Sequence, residues 1–296
     1  MKNRGFTKHY LAMLLPGYVW LLMFSIIPMF GFVIAFQNYN PGRGVFGSEW
    51  VGLENFTYLF SLTDARTILF NSVFISVMKI IGNLLVPLIF ALMLNELRIG
   101  LFKRAVQTVA YLPHFLSWVI LAGILLDILA YRGPVNHFVS LLGGTRVLFF
   151  ARADIFPAIV IGSDIWKEFG FNAVIYLAAL TSINPSLYEA ASIDGAHRMQ
   201  QLWYVTMPGI STTIVLLSVL SLGNVLNAGF DQIFNMYNPV VYSTGDIIDT
   251  WVYRSGLLNL QFSLATTAGL FKSAIGFFMI SLSYYLADRF AHYRIF

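Results

Sequence analysis

Asn184-Pro-Ser-Leu-Tyr-Glu-Ala-Ala-Ser-Ile-Asp-Gly-Ala-His-Arg-Met-Gln-Gln-Leu-Trp-Tyr-Val-Thr-Met-Pro208 is the stretch on which the fold turns. Asn184 is a good helix N-cap, and Pro185 suits the first helical position, where a missing N–H costs nothing. Leu187, Ala190 and Ala191 recur at helical spacing, so one face is apolar and small. Gly195 is free to take the left-handed conformation that ends a helix. Asp194 is placed beside that turn to cap the next helix, and Pro208 opens a new apolar run. The segment therefore predicts a short helix, a turn and a second helix. Such an element either lies on a membrane surface or docks into a cleft on a partner. Small alanines permit close approach, and Glu189 offers a carboxylate to a partner's arginine.

What flanks this stretch is apolar on both sides. The chain is 58% hydrophobic, 16% aromatic and only 11% charged, with a mean hydropathy of +0.72. A soluble domain carries roughly 25% charged residues, so the solvent of this chain is largely lipid. A helix needs roughly 20 apolar residues to cross the hydrocarbon core. About six stretches qualify: Leu11–Phe36, Leu69–Leu94, Val106–Ala130, Ile155–Ser182, Gly209–Phe230 and Ser263–Ala287. Lipid leaves no other partner for the backbone, so each is expected to be helical, with kinks or broken turns at Pro28, Pro87 and Pro113. The first run is too long for a signal peptide and no small-x-small cleavage site follows it, so it is expected to stay as an anchor.

Basic residues favour the cytoplasmic side. With both termini inside, Lys2, Arg4, Lys8, Arg98, Lys103, Arg104, Arg198, Arg289 and Arg294 lie inside, against Arg43, Arg66, Arg132, Arg146, Arg152 and Arg254 outside, a margin of nine to six. The quoted segment then faces the cytoplasm. The connection Tyr131–Asp154 reads as a compact outer turn and Asp231–Phe262 as a long outer loop. One membrane domain, residues 1–296, accounts for the chain, with the helix-turn-helix at about 184–208.

Glu189-Ala190-Ala191, three residues, Gly195, nine residues, Val205 and then Met207-Pro208 resembles the EAA loop of binding-protein-dependent ABC importer permeases. The family pattern ends in Ile-x-Leu-Pro, from which Val205 and Met207 are conservative departures, and Asp194-Gly195-Ala196 fits the sugar-importer version. Tyr111-Leu-Pro-His-Phe-Leu-Ser-Trp118 and Ile165-Trp-Lys-Glu-Phe-Gly-Phe171 resemble maltose-type oligosaccharide permeases. Phe230-Asp-Gln-Ile-Phe-Asn-Met-Tyr-Asn-Pro239 and Gly245-Asp-Ile-Ile-Asp-Thr-Trp-Val-Tyr-Arg254 are similar to the LplB-like polysaccharide-importer branch. The resemblance implies an all-α membrane protein of the type I ABC importer permease fold, in the bacterial cytoplasmic membrane. It implies import of an oligosaccharide or a polysaccharide-derived sugar, with Glu189, Ala190, Ala191, Asp194 and Gly195 coupling to an ATPase. The implied partners are a second permease of similar fold, two ATP-binding subunits and an extracytoplasmic solute-binding protein.

The motifs of other chemistries are absent. There is no cysteine, hence no thiolate metal site or cysteine nucleophile. No G-x-x-x-x-G-K-[ST] phosphate loop occurs, so ATP and Mg belong on another chain and this one binds no cofactor. H-E-x-x-H and G-x-S-x-G are missing too, so an intramembrane enzyme is remote. His114 and His137 stand alone, without a second metal ligand at a useful spacing.

A sugar path needs aromatic faces for pyranose rings and amides or carboxylates for hydroxyls. Asp164, Glu168, Asn172 and Tyr176 share one stripe of the fourth span, beside Trp166. Lys167 has two readings, a path residue or a partner of Asp164 that anchors the helix. Asn224 and Asn227, followed by Asp231 and Gln232, form a second polar patch, though the two asparagines equally suit interhelical hydrogen bonding. Lys79, Asn83 and Lys272 read as structural. An ion- or proton-coupled transporter, with Asp164 and Glu168 as a relay, is the rival class; it leaves the segment at 184–208 unexplained.

Overall fold

A computed structural model describes residues 4–97 and 99–291. Lys2, Arg98 and Arg294, three of the basic residues that set the expected orientation, lie outside the described residues. The main helices run in the order α1 (Arg4–Leu21), α2 (Thr63–Glu96), α3 (Gly100–Tyr111), α4 (Trp118–Ile128), α5 (Phe156–Thr181), α6 (Pro185–Ile193), α7 (Arg198–Asn224), α8 (Phe230–Met236) and α9 (Phe262–Ala291).

Among the described residues, four helical runs are long and apolar enough to cross a membrane: His9–Phe36, Thr63–Glu96, Arg198–Asn224 and Phe262–Leu286. Gly100–Phe115 and Trp118–Ile128 form a fifth if they are taken as one span broken by a 104° bend. The remaining expected span is α5, whose 26 residues extend about 39 Å at 1.5 Å each. Its three closely spaced ionisable residues, Asp164, Lys167 and Glu168, set it apart from those runs.

By its internal contacts the chain forms two compact units. One holds residues 1–65 and 251–271. In it the first span passes through a π turn, Leu22–Ile26, just before Pro28 and ends as a 3-10 helix, Phe30–Phe36. A proline ring clashes with the carbonyl four residues back, and the wider π turn moves that carbonyl aside. A short hairpin follows, Gln37 opposite Trp50 and Asn38 opposite Glu49, so the chain is not wholly helical. Asn55 fastens it by donating to the carbonyls of Ala35 and Gln37 at 2.9 and 3.0 Å.

The other unit holds residues 66–250 and 272–296. Its first core joins Ile75, Phe156, Val160, Ile233, Met236, Val241 and Ile247; its second joins Leu88, Ala91, Ala173, Tyr176, Leu180 and Ile210. Helices α3 and α5 cross backbone to backbone at Gly170, where a Cβ would lie 2.1 Å from the Ala110 carbonyl oxygen.

Three expectations are corrected here. The span Val106–Ala130 is not one helix. A 3-10 turn, Leu112–Phe115, forms at Pro113, and α4 starts afresh with Ser117 as its N-cap. The span Gly209–Phe230 begins earlier, at Arg198, and stops at Asn224; the chain then runs irregularly to Gly229, at φ +90°, before α8. The stretch after Asp231 is no simple outer loop, because Gln232, Ile233 and Met236 are buried in the core. Its alternation of apolar and polar residues belongs to short packed helices.

Candidate functional site

Two regions carry the chemistry the sequence pointed to, and both lie in the larger unit. The first is the connection between α5 and α7. The Asn184 side chain accepts from Ser186 N at 3.0 Å, and Pro185 occupies the first turn, as expected. At the other end Gly195 sits at φ +80°. Ala196 N reaches Ala191 O at 2.9 Å and Gly195 N reaches Ser192 O at 3.1 Å, the two bonds of a Schellman stop. Asp194 does not cap the next helix. It closes α6, while His197 and Gln200 form the capping box of α7.

Nor does α7 lie apart from the fifth span. It runs straight into it through a π turn, Leu202–Thr206, ahead of Pro208. Gln201 Nε2 ties this helix to Ser192 Oγ (2.9 Å) and to the Ala196 carbonyl (3.2 Å), and Tyr188 meets Thr206 through their hydroxyls at 3.0 Å. Arg198 pairs with Glu96, at the end of α2, at 2.5 Å. A 610 Å³ cavity opens between these elements, lined by Asn95, Glu96, Tyr188, Arg198 and Gln201 among others. The outer side of α6 stays open: Glu189 and Ala190 are exposed, and Ile193 is 87% exposed.

The second region surrounds α5. Lys167 does not pair with Asp164, although a single helix turn separates them. Asp164 is taken instead by Lys79 of α2, at 3.1 Å, and by Asn83 Nδ2, at 2.8 Å. Lys79 also donates to the Ala228 carbonyl at 2.7 Å and to Gln232 Oε1. Gln232 in turn donates to Val160 O (2.7 Å) and Ser163 Oγ (2.8 Å). Lys167 donates to Glu168 Oε1 at 2.9 Å and to the His114 carbonyl at 2.8 Å, and His114 Nδ1 meets Glu168 Oε2 at 2.7 Å. Lys272 pairs with Asp249 at 2.6 Å.

The physical logic is shared by the first two lysines. Where a span breaks, its last carbonyls lose their helical partners, which is costly in lipid. Ala228 lies in the irregular stretch after α7, and His114 in the 3-10 turn between α3 and α4. Each receives a lysine from an intact helix. Each lysine is in turn balanced by a carboxylate, as a buried charge requires.

The remaining candidates scatter. Trp166 is exposed and Asn172 half-buried. Tyr176 is buried, its hydroxyl donating to Leu84 O at 3.2 Å. Asn224 lines a groove with Val219, Gly223, Ile280 and Tyr284, while Asn227 and Asp231 are exposed. No group of three metal-ligating side chains occurs among the described residues. In the α4–α5 connection, outside the spans, the Arg152 guanidinium holds the Asp154 carboxyl below its ordinary pKa through a side-chain hydrogen bond. Sequence reasoning gave His114 and Phe171 no part in the site, and it placed Gln232 in the second polar patch rather than in the core beside Lys79. Counting lysines against carboxylates in the spans could have signalled the pairing but not the partners.

Helices of membrane-spanning length and apolarity, with the exposed short helix α6 between two of the longer ones, describe a multi-pass membrane protein. The chain belongs to the family described as binding-protein-dependent transport system inner membrane component, whose model matches residues 83–292. It is 40% identical to the polygalacturonan/rhamnogalacturonan transport system permease protein YteP of Bacillus subtilis, over 98% of this chain and 90% of that one. It is 38% identical to Protein LplB of the same organism, over 94% and 88%. Among solved structures, a bacterial ABC transporter involved in the import of the acidic polysaccharide alginate superposes with a TM-score of 0.90 at 37% identity, covering 98% of both chains. That bacterial alginate transporter has also been solved in complex with an alginate pentasaccharide-bound periplasmic protein. The fold is therefore that of a type I ABC importer permease, a transport subunit rather than an enzyme. Membership of this family displaces the ion-coupled alternative.

Proposed function

We infer that this chain forms half of the translocation path of an ATP-driven importer for an oligosaccharide or a polysaccharide-derived sugar. The other half is a second permease of similar fold. Two ATP-binding subunits hold ATP and Mg and dock on α6 from the cytoplasm, where both termini also lie, and an extracytoplasmic binding protein delivers the sugar. The observation that carries this reading is the α6 element. It is a short helix with an exposed outer face and a glycine stop at φ +80°, bolted through Gln201 and Tyr188 to the span it moves. A relative that shares nearly the whole chain is named for polygalacturonan and rhamnogalacturonan transport, which supports the substrate class.

ATP closing the nucleotide-binding subunits pushes α6, and α7 carries the displacement into the bundle. Nucleotide therefore has to bind the two conformations with different affinity. Replacement of Glu189 by Ala or Gly195 by Val is expected to lower ATP-dependent uptake by about tenfold or more, with the protein still inserted in the membrane at its normal level. Normal uptake by both variants in membrane vesicles would overturn the assignment.

A further inference from the structure

We propose that the short helix Pro134–Leu141, in the connection between α4 and α5, is an interfacial foot. It lies among phospholipid headgroups and fixes the depth of α4 in the membrane.

This helix is turned inside out. Its polar residue Asn136 is 0% exposed, while Phe138, Leu141 and the following Leu142 are 62%, 70% and 74% exposed. These three lie three and four positions apart, so they form one apolar stripe. In water such a patch is a liability, and a helix packed on a soluble core would face it inward. Three hydrogen bonds hold the helix this way round. Asn136 Nδ2 donates to the carbonyls of Ala130 at 2.9 Å and Val147 at 2.8 Å, and its Oδ1 accepts from Val147 N at 2.8 Å. Gly143, at φ +82°, then turns the chain back.

Two observations identify lipid as the cover of that stripe. The first is what adjoins it. On α4 the exposed Ile120, Ile124 and Ile128 recur every four residues, an apolar stripe suited to acyl chains. It ends where the foot begins, since a Cβ on Gly133 would lie 2.5 Å from the carbonyl oxygens of Asp127 and Ile128. The second is charge. Arg132, Arg146 and Arg152 stand in this connection, with no acidic residue between Tyr131 and Ala153. Arg152 is taken by Asp154. Arg132 and Arg146 are exposed, and Arg146 lies over the Tyr131 ring, 5.7 Å from its centroid. A guanidinium grips phosphate with two parallel bonds, and tyrosine suits the headgroup level. An apolar stripe flanked by arginines is the composition of a helix lying in the interface.

The break at Pro113 gives the foot its purpose. The 11 residues of α4 extend only about 16 Å, against a hydrocarbon core of about 30 Å. Length therefore cannot set the depth of α4. The foot can, because Gly133 and Asn136 fasten it to the end of that helix.

The chain contains no cysteine, so Phe138→Cys or Leu141→Cys gives one labelling point on it. Each variant is assembled into the whole transporter in vesicles of phosphatidylcholine and phosphatidylglycerol, and labelled with bimane. The wild-type complex, treated identically, is the blank. Both labels are expected about 5–10 Å below the headgroup boundary. A nitroxide high on the lipid chain should then quench them several-fold more than one at the bilayer centre, and aqueous iodide should quench them weakly. Adding Arg132→Gln with Arg146→Gln is expected to raise the access of iodide. Strong iodide quenching without lipid quenching overturns the foot. If saturating binding protein removes that iodide quenching, the stripe is a protein docking surface instead. Labels that neither quencher reaches are covered by the partner permease, which overturns the proposal as well.

Discussion

Within Asn184–Thr206 the bonds join residues 2 to 18 positions apart, and one exposed pair, Arg198 with Glu96, reaches outside it. Around α5 they join residues 53, 81 and 153 positions apart. The first region is shaped by local rules of capping and stopping. The second is assembled only when distant helices meet. The loop is exposed and polar, so each of its bonds competes with water and contributes about 1 kcal/mol. The α5 cluster is closed, with Lys79 only 5% and Gln232 0% exposed, and there a missing partner leaves a charge without solvent.

The sharpest way to break this contrast is to remove one charge. Lys79→Met is expected to destabilise the protein by roughly 3–5 kcal/mol, since Asp164 is then buried without its cation. The Ala228 carbonyl and Gln232 lose a donor as well. Adding Asp164→Leu is expected to recover part of that loss, with a coupling of about 1 kcal/mol or more. Thermal unfolding of the purified protein in detergent, run on the wild type, both single variants and the double variant, reads the cycle. Strict additivity of the two substitutions would show that the pair contributes nothing as a pair.

That region is also where sequence reading stopped short. The apolar stretches that became the first span, α2 and α9 were legible because each is long, and the helix at 185–193 because its cap, its proline and its glycine follow one another at fixed offsets. The partners of Asp164 were not. Lys167 lies on the same helix turn and satisfies every local criterion, yet the structure spends it on the carbonyl that Pro113 frees. Lys79 wins Asp164 because α2 and α5 pack in a register that no local spacing encodes. The same limit explains α8. Gln232 read as the end of a polar patch after the fifth span, and only the irregular stretch before it, with Ala228 needing a donor, gives it a reason to be buried.

Packing without charge gives an intermediate effect. Gly170→Ala places a methyl group 2.1 Å from the Ala110 carbonyl oxygen. The obstacle is backbone, which cannot rotate away as a side chain would. Overpacking of this kind costs about 1–3 kcal/mol, so the unfolding midpoint is expected to drop less than for Lys79→Met. An unchanged midpoint would mean that α3 and α5 separate easily at their crossing. It would also mean that the 3-10 turn carrying His114 is free to move with α3.

The smallest effect belongs to the loop. Asn184→Ala removes one side-chain acceptor, that of Ser186 N at 3.0 Å, and a lost N-cap costs about 1 kcal/mol. Global stability is expected to change little, because the cores of the bundle lie elsewhere. Uptake is expected to fall by more than stability does, since the cap sets the angle at which α6 leaves α5 and presents Glu189. A Ser replacement, which restores an acceptor, is expected to return uptake toward normal with no further gain in midpoint. If Ala and Ser behave alike in transport, the orientation of α6 does not depend on its cap. The bonds from Gln201 to Ser192 and to the Ala196 carbonyl would then be what holds the element in place.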